Sequence, residues 1–298
     1  MKILITGGTG SLGTALVEFW KDKHDLVILS RDIHKQEDLR QRFNLTASNF
    51  ILGDICNIEL VSRTIYDGQF DLLIHAAALK VVHQGEENPE EYLRVNCQGS
   101  LTVARAWRWY NKDKPAIYIN SDKAVSCSNV YGASKFIGEK IFINHGFSSL
   151  RYGNVVSSKG SFIHKFLAAK KSNSKVIVKL PSPTRYYLTL TEAINLILDC
   201  IDSIPKYGNG IYVPHSLKSF SIEDVAKELG VEYIYESLDI GEKQHEILLS
   251  EDETLGKFTT GQLVKVEHGY GDKPDWSSSK TSKRLSGKEV LRKLGVEK

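Results

Sequence analysis

The chain has 298 residues, 41% of them hydrophobic and 25% charged, which is enough apolar material for one large domain or two modest ones. Its 39 Lys and Arg against 36 Asp and Glu leave a net charge of +3, too small to indicate nucleic acid or a membrane surface as the main partner, and compatible with an anionic small molecule. The four cysteines, Cys56, Cys97, Cys127 and Cys200, are scattered without a CxxC or Cys/His cluster, so neither a disulfide framework nor a metal site is indicated.

The first residues, MKILITGG, enter a strand pattern at once, and no apolar run approaches the roughly 18 residues of a spanning helix, so the expectation is a cytoplasmic enzyme. Short apolar runs then recur with room for helices between them: KILIT (2–6), LVILS (26–30), NFIL (49–52), DLLIHAAA (71–78), AIYIN (116–120) and SSLRYGNV (148–155). Most are continuous rather than alternating, the mark of strands buried on both faces of a parallel sheet. This predicts an α/β fold, a doubly wound parallel sheet with helices such as LGTALVEFW and the long PEEYLRVNCQGSLTVARAWRWY. Beyond about residue 155 the alternation loosens into a smaller α/β lobe. VIVKL (176–180) and IYVP (211–214) read as strands, and Thr189 with Glu192, Ser221 with Asp224 and Ser286 with Glu289 read as capped helix starts. The predicted division is 1–156 plus about 184–213 for the sheet domain, with about 157–183 and 214–298 as the second lobe, including a polar extended arm over 267–286.

Residues 6–13, TGGTGSLG, lie between the first strand and the first helix. Gly7, Gly10 and Gly13, with Thr9, Ser11 and Leu12 between them, suit a tight turn whose N–H groups approach a pyrophosphate. The second strand ends in Ser30 and Arg31, with Lys35 a turn later. Cations there favour NADP over NAD, although Asp32 leaves open a plain Arg–Asp surface pair. Asp54, after FILG, suits either the adenine edge or an ordinary turn.

Tyr131 and Lys135, four apart, share one helix face. A free tyrosine needs its anion stabilised by about 4 kcal/mol to act near neutrality, and Lys135 with an oxidised nicotinamide could supply that. Tyr110 with Lys114 repeats the spacing but ends at Pro115 and reads as a decoy. Asp122 and Lys123 form either an acid–base pair or a solvated ion pair of little consequence. His75 and His83 read as structural.

The ordered blocks TGGTGSLG, LSRDIHK, HAAALK (75–80), ENPEEYLRVN (87–96), SDKA (121–124), VYGASK (130–135), RYGNVV (151–156), TRYYLT (184–189) and GEKQHE (241–246) resemble the extended short-chain dehydrogenase/reductase family over nearly the whole chain, and within it the inverting, 5-epimerising UDP-N-acetylglucosamine 4,6-dehydratases. The resemblance implies a Rossmann domain with a substrate-binding lobe, NADP as cofactor, a nucleotide-sugar substrate, a homo-oligomer and a role in surface-glycan synthesis. It further implies cofactor contacts from Ile55, Ala76, Ala77, Lys80, Asn120 and Val155. Tyr131 would start oxidation at carbon 4, Lys123, as a neutral amine, would take the carbon 5 proton, and Asp122 would protonate the hydroxyl leaving carbon 6. Ser121 would hold the sugar oxygen, and Asn154, Lys179 and Arg185 would meet the substrate. Asp239 stands where the family carries an arginine for the diphosphate. A 4-epimerase or 4-keto reductase is the runner-up, and a non-catalytic dinucleotide-binding regulator a third reading.

Overall fold

The computed structural model describes residues 1–156, 161–259 and 261–296. The main sheet begins with β1 (Lys2–Thr6), β2 (Asp25–Ser30), β3 (Phe50–Leu52), β4 (Leu72–His75), β5 (Ala116–Ile119) and β6 (Ser148–Leu150). It continues past β7 (Val176–Leu180) and β8 (Thr184–Tyr187) to β9 (Ile211–Pro214), and past β10 (Lys218–Ser221) and β11 (Tyr233–Ser237) to β12 (Glu253–Phe258) and β13 (Leu263–His268). Its order is β12-β13-β9-β6-β5-β4-β1-β2-β3. The strands from β3 to β9 are mutually parallel, whereas β13 and β12 add antiparallel at one edge.

The continuous apolar runs are explained by a core on each face. Ile3, Ile5 and Ile28 pack with Leu16, Trp20, Leu39 and Ile197 on one side, while Leu4, Val27 and Leu29 pack with Val61, Val103, Trp107 and Phe142 on the other. Successive residues of β1 and β2 point to opposite faces, and both faces are covered by helices.

Two departures from the predicted elements matter for the site. The long helix is interrupted: an α-helical turn over Pro89–Tyr92 runs into a π-helix at Leu93–Gly99 before α-helix resumes at Ser100–Tyr110. The wider turn carries Asn96, fully buried, whose amide takes the Leu79 N–H (2.8 Å) and donates to the Leu79 carbonyl (2.9 Å) and to Ser134 Oγ (2.9 Å). It thereby fixes the loop after β4 against the helix of Tyr131. Second, β8 pairs with β10 outside the main sheet, and β12 and β13 extend that sheet, so strand pairing runs beyond the segments 1–156 and 184–213 assigned to it. The predicted lobe opens at 157, outside the described residues.

The second lobe has its own core of Phe166, Val178, Phe220, Val225 and Val290. The capping predictions appear as full capping boxes at Thr189 and Ser286 and as a one-way cap at Ser221. Residues 269–286 form an arm with one short 3-10 turn at Asp275–Ser277, laid against β10 and Ile247 through isolated bridges. Among the described residues no helix is long and apolar enough to cross a membrane.

Candidate active site

The strand order reverses between β4 and β1, and a cleft of about 710 Å³ opens at the carboxyl ends of the strands there, where open α/β sheets bind ligands. Its walls include Gly7, Thr9, Gly10, Ser11, Leu12 and Gly13 from the first loop. Gly7 has φ +72°, and a Cβ on it would lie 2.6 Å from the Ala77 backbone; one on Gly13 would lie 2.4 Å from Gly8 Cα. The glycines therefore let this loop close tightly on the loop after β4. Ser30, Arg31 and Lys35 line it at the end of β2, Ile55, Ala76, Ala77 and Lys80 at the neighbouring loops, and Asn120 and Val155 further along. These residues fit a dinucleotide.

Two predicted contacts lie elsewhere. Asp54 is not in the cleft wall; its carboxylate accepts the Cys56 N–H (2.9 Å) and two bonds from Arg94 (3.1 Å each), and reaches Arg31 at 3.5 Å. Lys179 is likewise outside, paired with Asp239 (2.8 Å) and Glu236 (3.1 Å). The anion at the family's arginine position and the cation assigned to substrate thus neutralise each other. The cleft on that side is lined instead by Arg185 and by Lys165, which carried no motif in the sequence.

The side chains expected to react gather where β5 ends. Ser121 caps a 3-10 turn at Asp122–Ala124, taking the Lys123 N–H at 3.2 Å and donating to Asp122 Oδ1 at 2.9 Å. Asn129 caps the Val130–Asn144 helix, which carries Tyr131 and Lys135 inward. The two pieces touch at Gly132, where an added Cβ would come within 2.3 Å of the Lys123 carbonyl. Ser121, Lys123, Tyr131, Lys135, Asn154 and Arg185 all line the cleft, while Asp122 is buried just behind it.

The electrostatics bear on two expectations. Lys123 was to be a neutral amine. Its Nζ lies 3.2 Å from Asp122, 3.0 Å from Glu246 and 3.1 Å from Asn154 Oδ1, and although burial pulls its pKa down, the two carboxylates outweigh this and hold it above the ordinary lysine value. It is an ammonium. Tyr131 was to be served by Lys135; burial instead pushes the phenol up, and the opposing influences are the Lys123 charge and the Ser121 hydroxyl. Lys135 donates to the Ile119 carbonyl at 2.7 Å and lies over the Tyr118 ring, and burial lowers its pKa to about 7. Asp122 is raised, first by burial, and its Oδ2 has no hydrogen-bond partner.

Glu246 is the member of this cluster that the sequence reading missed; its only signal was its place at the end of GEKQHE. His75 is structural, held between Thr6 Oγ1 (2.6 Å) and Ser100 Oγ (3.0 Å) and pushed down to about 3 by burial. The decoy pair parts: Tyr110 packs on Tyr66, and Lys114 bonds Asp71.

The sequence profile described as "Polysaccharide biosynthesis protein" matches residues 3–268. The UDP-N-acetylglucosamine 4,6-dehydratase (inverting) of Campylobacter jejuni subsp. jejuni serotype O:2 is 34% identical over 272 residues, covering 85% of this chain and 78% of that protein. A UDP-glucose 4-epimerase of Rickettsia bellii is 35% identical over 289 residues, covering 89% and 82%. The X-ray structure of Pen from Bacillus thuringiensis matches with a TM-score of 0.86 at 26% identity, over 100% of this chain and 98% of that one. A profile that takes in both main-sheet edges and the residues of the cleft, together with relatives aligned over most of their length, leaves one conclusion: the chain belongs to the polysaccharide biosynthesis protein family and has the extended short-chain dehydrogenase/reductase fold.

Proposed function

We propose that the protein is an NADP-dependent nucleotide-sugar 4,6-dehydratase that also inverts carbon 5, acting on UDP-N-acetylglucosamine. The observation that carries this reading is the Asp122–Lys123 pair on one turn beside Tyr131, since an epimerase or ketoreductase requires no second acid–base pair next to its tyrosine. A dinucleotide held by the Gly7–Gly13 loop, Ser30 and Arg31 would supply the acceptor and donor of the hydride that leaves carbon 4 of the sugar and returns at carbon 6. Tyr131 takes the carbon 4 hydroxyl proton, with the Ser121 hydroxyl beside it and the Lys123 charge favouring its anion. The resulting ketone acidifies carbon 5. Lys123 takes that proton once it has released one of its own, and Asp122, whose pKa burial raises, supplies the proton with which the carbon 6 oxygen leaves as water. Arg185 and Lys165 are the cleft cations nearest in kind to what a diphosphate needs.

The NADP assignment rests on Arg31 and Lys35 at the end of β2. Asp32 is engaged with Lys35 twice, through the helix cap at 3.1 Å and the ion pair at 2.7 Å, which offsets its charge at the end of β2. Arg31→Ala is expected to weaken NADP binding by roughly tenfold or more, the worth of a charge-assisted hydrogen bond, while leaving NAD nearly unchanged. Equal losses in a fluorescence titration would refute the assignment.

The similarity to a UDP-glucose 4-epimerase favours a second reading, epimerisation at carbon 4 without loss of water. Incubation with UDP-N-acetylglucosamine in heavy water separates the two. Dehydration gives a 4-keto-6-deoxy sugar with deuterium at carbon 5 by NMR; an intact hexose inverted at carbon 4 would select the epimerase.

A further inference from the structure

Glu246 has no part in the acid–base set above, yet it makes the shortest ion pair to Lys123, 3.0 Å, and its side chain is only 2% exposed. Its backbone is clamped from both sides by one residue of the arm. Ser279 Oγ accepts the Glu246 N–H and the Ser279 N–H donates to the Glu246 carbonyl, each at 2.8 Å, and Ser279 is itself tied to Thr184 Oγ1 at 2.9 Å. Glu246 Oε2, buried, has no hydrogen-bond partner, so the carboxylate's direct engagement is through Oε1.

We propose that Glu246 is a positioning residue acting through Lys123: a fixed counter-charge that aims Nζ into the cleft and governs when it is ready to accept a proton. This rests on the dehydratase reading of Lys123. The groups facing the pair come from four elements. Asp122 lies on the same turn as Lys123, and Tyr131 is on the adjoining helix. Arg185 approaches Glu246 at 3.9 Å but gives its Nη2 to Glu242 at 2.8 Å. Lys243 also stands 3.9 Å from Glu246, with its ammonium on the Val125 carbonyl. Tyr186, whose pKa burial raises with the charges of Asp122 and Glu246 adding to it, donates to the Trp276 carbonyl. Three cations thus meet three carboxylates, and when Asp122 carries its catalytic proton the balance at Lys123 falls to Glu246.

The test compares wild-type, Glu246→Gln and Glu246→Asp by kcat and KM for UDP-N-acetylglucosamine across roughly pH 7 to 11.5. In Glu246→Gln the acidic limb of kcat, set by loss of a proton from Lys123, moves to lower pH by about one unit or more, with KM changing less than kcat. Glu246→Asp, which keeps the charge, restores the limb toward the wild-type position. A Glu246→Gln limb superimposed on wild-type, or identical limbs in both variants, overturns the proposal. A second measurement needs neither turnover nor a Glu246 variant: wild-type protein labelled with carbon-13 at the lysine ε-carbon, titrated by NMR with the Lys123 signal assigned through Lys123→Met. Lys123 should remain protonated beyond the ordinary lysine midpoint of about 10.4, and a midpoint below that overturns the proposal. Absence of any 4-keto product from wild-type, with Lys123 still titrating high, would instead remove the dehydratase reading and leave the Glu246–Lys123 link standing.

Discussion

Lys135 is 4% exposed, and its ammonium has one carbonyl and an aromatic face in place of bulk water. Burial lowers its pKa to about 7, with Glu139 opposing. Between about pH 7 and the unfolded value of 10.5 the unfolded chain therefore binds more protons at this residue than the folded one, so its contribution to stability rises with pH through that window. Below about 7 the cost of its burial is fully present. Replacing it by methionine removes this dependence. Urea unfolding of wild-type and Lys135→Met at successive pH values should show their difference moving in favour of wild-type, by at most about 1.4 kcal/mol per pH unit. A constant difference would mean that the lysine is charged in both states.

The helix Val130–Asn144 and the turn Asp122–Ala124 are separate elements that must meet at a fixed distance for Tyr131 and Lys123 to face one substrate. Gly132 sets that distance. An alanine there would put its Cβ 2.3 Å from a backbone carbonyl, which cannot rotate away, so the turn or the helix start must move. Gly132→Ala should cost about 1–3 kcal/mol of stability by overpacking and roughly a hundredfold in kcat through misplacement. Dinucleotide affinity, set on the other side of the cleft, should hardly change. Thermal melting, product formation and a binding titration read the three quantities independently. The π-helical turn at Leu93–Gly99 does similar work for the loop after β4, and periodicity could not reveal it because LRVNCQG carries the same apolar spacing as its α-helical neighbours.

Across the whole molecule, one buried charge cluster joins parts distant in sequence. Arg151, just after β6, gives Nε and Nη2 to Glu139 at 2.8 and 2.5 Å, and Nη1 and Nη2 to Glu253 of β12, each at 2.7 Å. Glu139 also takes the Asn120 amide at 2.7 Å, so the edge strands, the central sheet and the catalytic helix share one network. Glu253→Ala leaves Arg151 underpaired in the core and should cost about 3–5 kcal/mol in a denaturant titration. A loss below about 1 kcal/mol would show that Glu139 alone satisfies the arginine. Burial opposes ionisation of Glu253, but Arg151 outweighs it and lowers its pKa, so the stability it supplies is present above the unfolded value of 4.5 and is lost as the pH falls below it.

The sequence by itself determined the layered fold, the glycine-rich loop at the cleft and the capped helix starts, because each depends on neighbours a few residues apart: continuous apolar runs, glycines between strand and helix, and a Thr or Ser three positions before an acid. It also brought out Asp122, Lys123, Tyr131 and Lys135, which lie within fourteen residues of one another. Their protonation was decided only by the tertiary structure. Glu246 is more than a hundred residues from Lys123 in the chain, and its approach depends on an arm that bends back to clamp it at Ser279. Asp54 and Lys179 left the cleft for the same reason, drawn to Arg94 and Asp239 by contacts no local pattern encodes. Coulombic partners act through space, and the fold alone sets which charges become neighbours and how far water is kept from them.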